Sequence, residues 1–197
     1  MNKQDMEKKK GKIIVLSAPS GCGKSTIINT ILDSGDYDLK FSVSATNRSP
    51  REGEVDGVHY HFLTTEEFRD AIAAHSFVEW EEVYPGRFYG TLRSEIERRI
   101  DAGDDVVLDI DVKGGLNVKK IFGDRALTIF ILPPDLATLR QRLVSRGTDA
   151  PAIIEERLEK AEYEISFAPE YDCRVVNDNL DEAVAEVRAL IDNFLKS

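Results

Sequence analysis

The chain has 197 residues, of which 42% are hydrophobic and 31% charged, a balance typical of a globular domain with a sizeable core. Its 26 Lys and Arg stand against 36 Asp and Glu, so the formal net charge at pH 7 is −10. A surface this acidic does not attract nucleic acid or anionic lipid through its overall field. We therefore expect neither nucleic-acid nor membrane partners, and expect any anionic ligand to be held by local groups.

Apolar runs and cysteine usage indicate the compartment. The longest apolar runs, 13–16 and 129–132, are far shorter than a membrane-spanning helix. Residues 1–11 contain a lysine cluster without an apolar segment behind it, so we expect a flexible tail rather than a secretion signal. Cys22 and Cys173 lie far apart and outside any CxxC pattern, which favours a reducing compartment and disfavours a zinc site. These features predict a cytoplasmic protein.

The first predicted elements are a strand, a loop and a helix. Residues 12–17 form a short apolar, β-branched run typical of a strand buried on both faces. A glycine-rich stretch follows, and then isoleucines recur at helical spacing from Lys24 until Gly35, a natural helix stop.

Similar strand-like runs recur later in the chain, at 106–110, 126–132 and 174–176. Helical segments separate them, and the last helix is predicted at 181–195. This alternation predicts an α/β fold in which helices flank a parallel sheet in three layers.

Two stretches interrupt this alternation. Residues 45–99 are rich in turn formers, charges and aromatic side chains, which predicts an inserted small mixed-β region with one helix at 65–74. Residues 140–168 are rich in arginine and predict a helix after Pro151. The sheet core is then expected at 12–44, 100–139 and 169–197.

Residues 18–25 (APSGCGKS) match the phosphate-binding loop G-x-x-x-x-G-K-[ST], except that Ala18 replaces the first glycine. In such a P-loop, backbone N–H groups surround the phosphates, the lysine adds a positive charge and the hydroxyl after it contacts Mg²⁺. The position of the motif between a strand and a helix supports a nucleotide-phosphate site. The predicted site comprises Ala18, Pro19, Ser20, Gly21, Cys22, Gly23, Lys24, Ser25 and Thr26.

Beyond the loop, ordered blocks over about residues 12–195 resemble the guanylate kinase family. The blocks are 17–25 (SAPSGCGKS), 41–51 (FSVSATNRSPR), 53–62 (GEVDGVHYHF), 77–80 (FVEW), 88–91 (FYGT), 108–111 (LDID), 146–148 (RGT) and 176–178 (VND). The resemblance implies a P-loop NTPase fold and transfer of the γ-phosphoryl group of ATP to GMP or dGMP with Mg²⁺. It also implies that 45–99 binds GMP and that 140–168 forms a helical lid.

The resemblance assigns the acceptor phosphate to Arg48, Arg51, Tyr60 and Tyr89. Two guanidinium groups three residues apart can grip one phosphate with paired hydrogen bonds. The alternative is an exposed turn in which the arginines pair with Glu52 or Glu54.

Guanine presents two N–H donors beside its O6 acceptor, so a carboxylate can accept two hydrogen bonds from guanine but faces a lone pair on adenine. The resemblance places Glu79 in this role, with Ser44 and Thr91 completing the base pocket. Without the resemblance, Glu79 would be interpreted as a surface acid.

Asp109 and Asp111 end a predicted strand in alternation with an isoleucine, so both carboxylates are expected at the carboxyl edge of the sheet. Asp109, with Ser25, is expected to hold Mg²⁺, directly or through water. The resemblance places Asp111 nearer GMP, although the residues alone do not separate the two roles. Both acids could instead cap the strand and pair with Lys113.

Phosphoryl transfer needs fixed positive charges around the transferring group. By resemblance Arg146 and Arg157 are lid arginines, which together with Lys24 and Arg48 form the predicted catalytic set, and Asn177 lies near the donor adenine. Arg142 is a weaker candidate for the lid, and Arg140 belongs to the same concentration of positive charge. Surface pairing with Glu155, Glu156 or Glu159 is the alternative for any of these arginines.

Two other functions remain open on sequence alone. One is a non-catalytic guanylate-kinase-like module that binds a phosphorylated protein, against which the complete Lys24–Ser25 pair argues. The other is a P-loop kinase for a different monophosphate, against which Glu79 and Ser44 argue. The chain is expected to act as a monomer or a homo-oligomer.

Overall fold

The computed structural model describes residues 10–145, 147 and 150–197. These residues divide into two compact units. The first contains the described residues up to Ile13 together with Asp38–Val106, and the second contains Ile14–Tyr37 and Val107–Ser197.

The strands are β1 (Ile13–Ser17), β2 (Leu39–Phe41), β3 (Ala45–Thr46), β4 (His61–Phe62), β5 (Phe77–Tyr84), β6 (Arg87–Leu92), β7 (Asp105–Asp109), β8 (Ala126–Leu132) and β9 (Cys173–Val176). The helices are α1 (Lys24–Asp33), α2 (Thr65–Ala73), α3 (Arg93–Ala102), α4 (Val112–Phe122), α5 (Leu136–Ser145), α6 (Pro151–Ile165) and α7 (Leu180–Lys196). Short 3-10 turns lie at Gly123–Arg125 and Ala168–Glu170.

The central sheet has the strand order β2-β7-β1-β8-β9 and is parallel, as predicted. All five residues of β1 are buried, as expected of a parallel strand covered on both faces. Neighbours that are not consecutive in the chain require crossover connections, which the intervening helices provide. The predicted α/β class is therefore confirmed.

A second, mixed sheet has the order β4-β3-β6-β5. Strand β3 is parallel to β4 and antiparallel to β6, and β5 and β6 form an antiparallel hairpin. Phe68 of α2 anchors the core beneath this sheet, since its ring stacks 4.4 Å from Phe77 and 5.5 Å from Phe88 between centroids. This sheet is the predicted mixed-β region.

Local signals explain where two of the helices begin. Helix α2 starts with a capping box, in which the Thr64 side chain accepts from the Glu67 N–H and the Glu67 carboxylate accepts from the Thr64 N–H. Helix α7 starts after Asn179, whose side chain accepts from two N–H groups of the first turn. Both helices lie within one residue of their predicted starts.

The amino-terminal segment packs earlier than predicted. The Gly11 N–H donates to the Ile100 carbonyl at 2.8 Å, and Lys10 pairs with Asp101 at 2.9 Å. A Cβ on Gly11 would lie 1.8 Å from the Asp104 carbonyl oxygen, so only glycine fits. The predicted tail of 1–11 is thus wrong for Lys10 and Gly11, and its residues 1–9 lie outside the described residues. Over the described residues, none of the helices has the length and apolar character needed to cross a membrane.

Candidate functional site

The loop between β1 and α1 has the backbone that a phosphate-binding loop requires. Gly21 and Gly23 have φ values of 96° and 84°, in the left-handed region that favours glycine. A Cβ at Gly23 would lie 2.4 Å from the Asn177 side-chain nitrogen. Helix α1 begins immediately afterwards at Lys24, so its unpaired N–H groups and positive dipole end lie at the loop.

Alanine fits the first position of the motif. Among the described residues other than glycine, only His75 has a positive φ, so Ala18 has a conformation open to any L-residue. Replacement of the first motif glycine by alanine therefore introduces no backbone strain.

The loop surrounds a cavity whose lining includes most of the predicted donor-site residues. The lining residues are Ala18, Pro19, Ser20, Gly21, Gly23, Lys24, Ser25, Thr26, Asp109, Ile110, Asp111 and Glu164. Cys22 and Asn177 of the predicted set do not line it. Cys22 is fully buried, and its carbonyl accepts a 2.8 Å hydrogen bond from the buried Asn177 amide. Asn177 therefore supports the loop from behind, and its contact with adenine stays a prediction.

Lys24 and Asp109 form an ion pair beside this cavity. Their side chains are 19% and 25% exposed, so solvent screens the pair only partly. The carboxylate keeps the ammonium group at the cavity, where a phosphate can share its remaining donors. Lys24, Ser25 and Asp109 therefore line one cavity, and the binding of Mg²⁺ by Ser25 and Asp109 stays a prediction.

Asp111 has a different local role from Asp109. Strand β7 ends at Asp109, and Asp111 is the N-cap of α4, where its Oδ1 accepts from the Gly114 N–H at 2.7 Å. Ser17 fixes this corner, because its hydroxyl donates to the Ile110 carbonyl at 2.9 Å. Both acids line the loop cavity, and the assignment of Asp111 to GMP stays a prediction.

The arginines predicted for the lid have distinct partners. The Arg157 guanidinium lies 3.5 Å from the Ser20 hydroxyl of the loop. Arg140 pairs with Glu155, as the surface alternative expected. This ion pair joins α5 to α6. Arg142 donates to the Asn177 carbonyl at 2.9 Å. Arg146 lies outside the described residues.

In the other unit, Arg48 lies at the centre of the predicted acceptor site. Its guanidinium lies 4.9 Å from the centre of the Tyr60 ring, and the Tyr60 and Tyr89 rings meet edge to face at 5.9 Å. Three of the four predicted phosphate-binding side chains therefore form one cluster.

Glu54 completes this cluster. Its two carboxylate oxygens accept from the two Arg48 nitrogens at 2.6 and 2.7 Å, and one of them also accepts from the Arg51 N–H at 2.7 Å. These hydrogen bonds, first that from Arg48, lower the pKa of Glu54 to about 2, while the Glu54 bond raises the pKa of Arg48. Arg48 thus has the Glu54 partner that the alternative expected, but its side chain is only 8% exposed rather than part of an exposed turn, and its contact with a phosphate stays a prediction.

A second cavity borders the acceptor cluster. It is lined by Asn47, Arg48, Ser49, Arg51, Thr65, Pro85, Gly86 and Arg87. Arg51 and Arg87 are both exposed there, so three guanidinium groups border the same space. Such a cavity suits a multiply charged anion.

Two of the three predicted guanine-reading residues, Glu79 and Thr91, are in contact. Glu79 and Thr91 face each other across β5 and β6, and the Thr91 hydroxyl donates to the Glu79 carboxylate at 2.5 Å. Thr91 is buried, which fixes this orientation. Ser44 is half-buried before β3, where its carbonyl accepts from the His61 N–H at 2.9 Å. Its contact with a base stays a prediction.

Sequence reasoning missed several residues that border these two cavities. They are Asn47, Thr65, Arg87 and Glu164, and Glu54 entered only as a surface partner. Glu54 had a usable local signal, since it follows Arg51 by three residues in a stretch rich in turn formers. In the structure its N–H closes a turn onto the Arg51 carbonyl at 3.0 Å. The others depend on distant pairing that no local pattern reveals.

Comparison with known proteins gives the family. The guanylate kinase family model matches residues 10–194. Guanylate kinases of Bacteroides fragilis and Salinibacter ruber are 53% and 54% identical over 184 and 185 residues, which cover 93% and 94% of this chain and 90% and 97% of the relatives. A crystal structure of guanylate kinase from Anaplasma phagocytophilum superposes with a TM-score of 0.67 at 32% identity, covering 95% of this chain and 88% of that one. The chain therefore belongs to the guanylate kinase family.

Proposed function

We propose that this protein is a guanylate kinase, which transfers the γ-phosphoryl group of ATP to GMP or dGMP and forms ADP and GDP. The observation that carries the proposal is the pair of anion sites, a P-loop cavity in one unit and an arginine–tyrosine cluster in the other. Relatives that are 53% and 54% identical bear the same name. The two alternatives, a binding module and a kinase for another acceptor, are not favoured by these relatives.

The chemistry follows from positioning and charge. An oxygen of the acceptor phosphate attacks the γ-phosphorus, the bond to the β–γ bridging oxygen breaks, and ADP carries that oxygen away. Lys24 and the loop N–H groups bind the ATP phosphates, and Arg157 adds charge from α6. Arg146 has the same role by resemblance. The acceptor is mostly dianionic at pH 7, so the reaction needs no general base.

Arg48, Arg51, Tyr60 and Tyr89 hold the phosphate of GMP. Glu79 accepts from the guanine N1 and N2 hydrogens, and the short hydrogen bond from Thr91 orients its carboxylate. With adenine, the same carboxylate would face an acceptor and lose a hydrogen bond. Ser44 and Asp111 complete the proposed GMP site.

Mg²⁺ fits the residues at the P-loop. Magnesium prefers a few hard oxygen ligands together with phosphates and water, and Ser25 and Asp109 supply a hydroxyl and a carboxylate at the same cavity. No group of three or more His, Cys, Asp or Glu suited to a metal occurs in the described part of the chain, so the phosphates complete the site. When bound with ATP, the ion neutralises charge on the β- and γ-phosphates.

The proposed reaction belongs to purine nucleotide metabolism, where it recycles GMP to GDP. We place it in the cytoplasm because Cys22 and Cys173 are both in the thiol form rather than in a disulfide, as a reducing compartment favours. ATP and GMP are then its partners as small-molecule substrates.

The test measures ADP formation from ATP and Mg²⁺ with GMP, dGMP, AMP, CMP or dTMP as the acceptor. The expected result is turnover with GMP and dGMP and little with the others. A preference for another monophosphate would overturn the guanine assignment. Absence of turnover with all of them, together with binding of a phosphorylated peptide, would favour the binding module instead. Lys24→Ala should abolish turnover with every acceptor, because the loop loses its charge on the transferring phosphate.

A further inference from the structure

We propose that Asn47 is a positioning residue for the acceptor phosphate, because its side chain holds together the three segments that carry or flank Arg48 and Tyr89. This inference rests on the proposed function. Asn47 directly precedes Arg48 in the turn after β3. It is neither a predicted ligand nor a charged group.

The Asn47 amide makes hydrogen bonds with every polar atom it has. Its nitrogen donates to the Thr65 hydroxyl at 2.9 Å and to the Gly86 carbonyl at 2.8 Å, and its oxygen accepts from the Phe88 N–H at 2.7 Å. The backbone carbonyl of Gly86 can only accept and the N–H of Phe88 can only donate, so the partners fix which amide atom is which.

These partners belong to separate elements. Thr65 is the first residue of α2, Gly86 forms the turn between β5 and β6, and Phe88 lies in β6. They are 18, 39 and 41 residues distant from Asn47 in the chain. One side chain therefore fixes the hairpin turn and the start of a helix relative to the turn that carries Arg48.

The connection to the acceptor site runs through adjacent residues. Phe88 immediately precedes Tyr89, and Thr46, which immediately precedes Asn47, is the register partner of Tyr89. The Thr46 hydroxyl donates to the Phe88 carbonyl at 2.9 Å. Asn47 and Thr46 thus satisfy both backbone groups of Phe88 and hold Tyr89 beside Arg48.

Geometry of this kind matters because a phosphate is gripped by several donors at once. Misplacing one donor by about 1 Å costs far more than one hydrogen bond in water would, since the others then fit less well. Loss of the Asn47 amide should therefore weaken acceptor binding, although Asn47 itself need not touch the ligand.

The experiment compares Asn47→Ala and Thr65→Val with wild type in the full chain. Asn47→Ala should raise the KM for GMP by about tenfold or more and leave the KM for ATP within about twofold, because only the acceptor donors are displaced. Thr65→Val removes one of the three bonds and should produce a smaller rise. Calorimetric titration with GMP in the absence of ATP should show the same weakening of binding.

Asn179→Ala is the matched control. This substitution removes side-chain bonds to two N–H groups at the start of α7, so it also destabilises the fold, but it leaves the acceptor unit unchanged. Its KM for GMP should equal that of wild type. An equal rise in both variants would show general destabilisation and overturn the proposal.

Amide hydrogen exchange distinguishes failure of this inference from failure of the proposed function. In Asn47→Ala, the peptide covering 86–90 should exchange faster, because the Phe88 N–H loses its acceptor. Unchanged exchange and unchanged GMP affinity would overturn the role of Asn47. A wild-type protein that forms no ADP with GMP would instead overturn the proposed function, and the role of Asn47 in GMP binding would then be decided by the titration.

Discussion

The Arg48–Glu54 ion pair sets the orientation of Arg48 in the proposed acceptor site before a substrate binds. Arg48 is only 8% exposed and Glu54 17%, so an unpaired guanidinium would be costly there. The carboxylate compensates that charge and, through the Arg51 N–H, also sets the turn that carries the second arginine. In the proposed function, an incoming phosphate meets an arginine that is already oriented and must share it with Glu54.

This pair predicts a pH-dependent difference in stability between wild type and Glu54→Gln. The folded-state pKa of Glu54 is lowered from the ordinary 4.5 to about 2, so its stabilising contribution is present above pH 4.5 and disappears as the pH falls towards 2. Glu54→Gln should thus have a lower Tm than wild type at pH 7, and the difference should shrink between pH 4.5 and pH 3. Thermal unfolding followed by circular dichroism checks this.

Glu52→Gln is the control for this prediction. Glu52 is exposed on the same turn, so the Tm of Glu52→Gln should differ little from that of wild type at every pH. A Tm difference for Glu54→Gln that stays constant from pH 7 to pH 3 would contradict the role of the ionised carboxylate.

Base selection predicts a second result at the residue scale. Glu79→Gln replaces one acceptor oxygen with a donor, which opposes a guanine N–H and suits adenine better. The ratio of kcat/KM for GMP to that for AMP should fall by at least about tenfold, while the KM for ATP stays unchanged. Thr91→Val should produce a smaller fall, because it removes only the 2.5 Å hydrogen bond that orients Glu79.

Glu97→Gln provides the comparison for base selection. Glu97 is a half-buried acid of α3 that pairs with Arg93 and is neither a predicted nor a proposed site residue, so its loss should not alter the ratio. If Glu79→Gln and Glu97→Gln gave the same ratio as wild type, Glu79 would have no part in reading the base.

At the scale of elements, the P-loop depends on what lies behind it. Asn177, which directly follows β9, donates its side-chain N–H to the Cys22 carbonyl and occupies the space that a Cβ on Gly23 would need. Strand β9 is parallel to β8, and the Asn177 N–H donates to the Leu132 carbonyl at 2.8 Å. The shape of the phosphate loop is thus set by the edge of the central sheet as well as by its own glycines.

Alanine substitutions at Gly23 and Gly35 distinguish the effect of backbone strain from the effect of contact with Asn177. Gly23 and Gly35 both have positive φ, 84° and 71°, so alanine strains each backbone by roughly 1–2 kcal/mol. A Cβ at Gly35 meets nothing within 4 Å, whereas one at Gly23 meets the Asn177 amide at 2.4 Å. Gly23→Ala should therefore raise the KM for ATP by about tenfold or more, since the loop must shift, and Gly35→Ala should not.

Steady-state kinetics and urea unfolding of both variants check this pair. Gly35→Ala should lose stability without any change in the KM for ATP. Equal KM values for the two variants would mean that Asn177 does not constrain the loop.

The elements best predicted from sequence are those that a local sequence pattern determines. The run at 126–132 is continuously apolar, and β8 occupies Ala126–Leu132. By contrast, β2 has only three residues, Leu39–Phe41, which is too short for alternation to indicate a strand, and the sequence does not predict it. The order of the mixed sheet depends on pairing between distant residues, such as Ala45 with Gly90, which periodicity does not encode.

The same division applies to the candidate site. Lys24, Arg48 and Arg51 stand out locally because a motif or a close pair of arginines marks them in an acidic chain. Asn47 is unremarkable in sequence, because its importance comes from partners as distant as Phe88. Local chemistry thus identifies groups that touch a ligand better than it identifies groups that hold them.

At the scale of the whole molecule, the net charge of −10 opposes anionic ligands at long range, and binding must come from concentrated positive groups. These groups lie in separate units, Lys24 with the P-loop in one and Arg48 with Arg51 in the other. In the proposed function, each unit carries the cations for one substrate. The acidity of the remaining surface should keep longer polyanions from competing.

The placement of these cations in separate units predicts that each ligand raises the Tm only when the cations of its own unit are intact. A ligand present at about 100 times its Kd stabilises the folded state by about 2.7 kcal/mol, which corresponds to a rise in Tm of about 5–10 °C for a chain of this size. ATP with Mg²⁺ should raise the Tm of wild type and of Arg48→Ala but not of Lys24→Ala. GMP should raise the Tm of wild type and of Lys24→Ala but not of Arg48→Ala. Differential scanning fluorimetry with each ligand alone measures all six combinations of ligand and protein. If either single variant lost the Tm shifts of both ligands, the two sets of cations would not act separately.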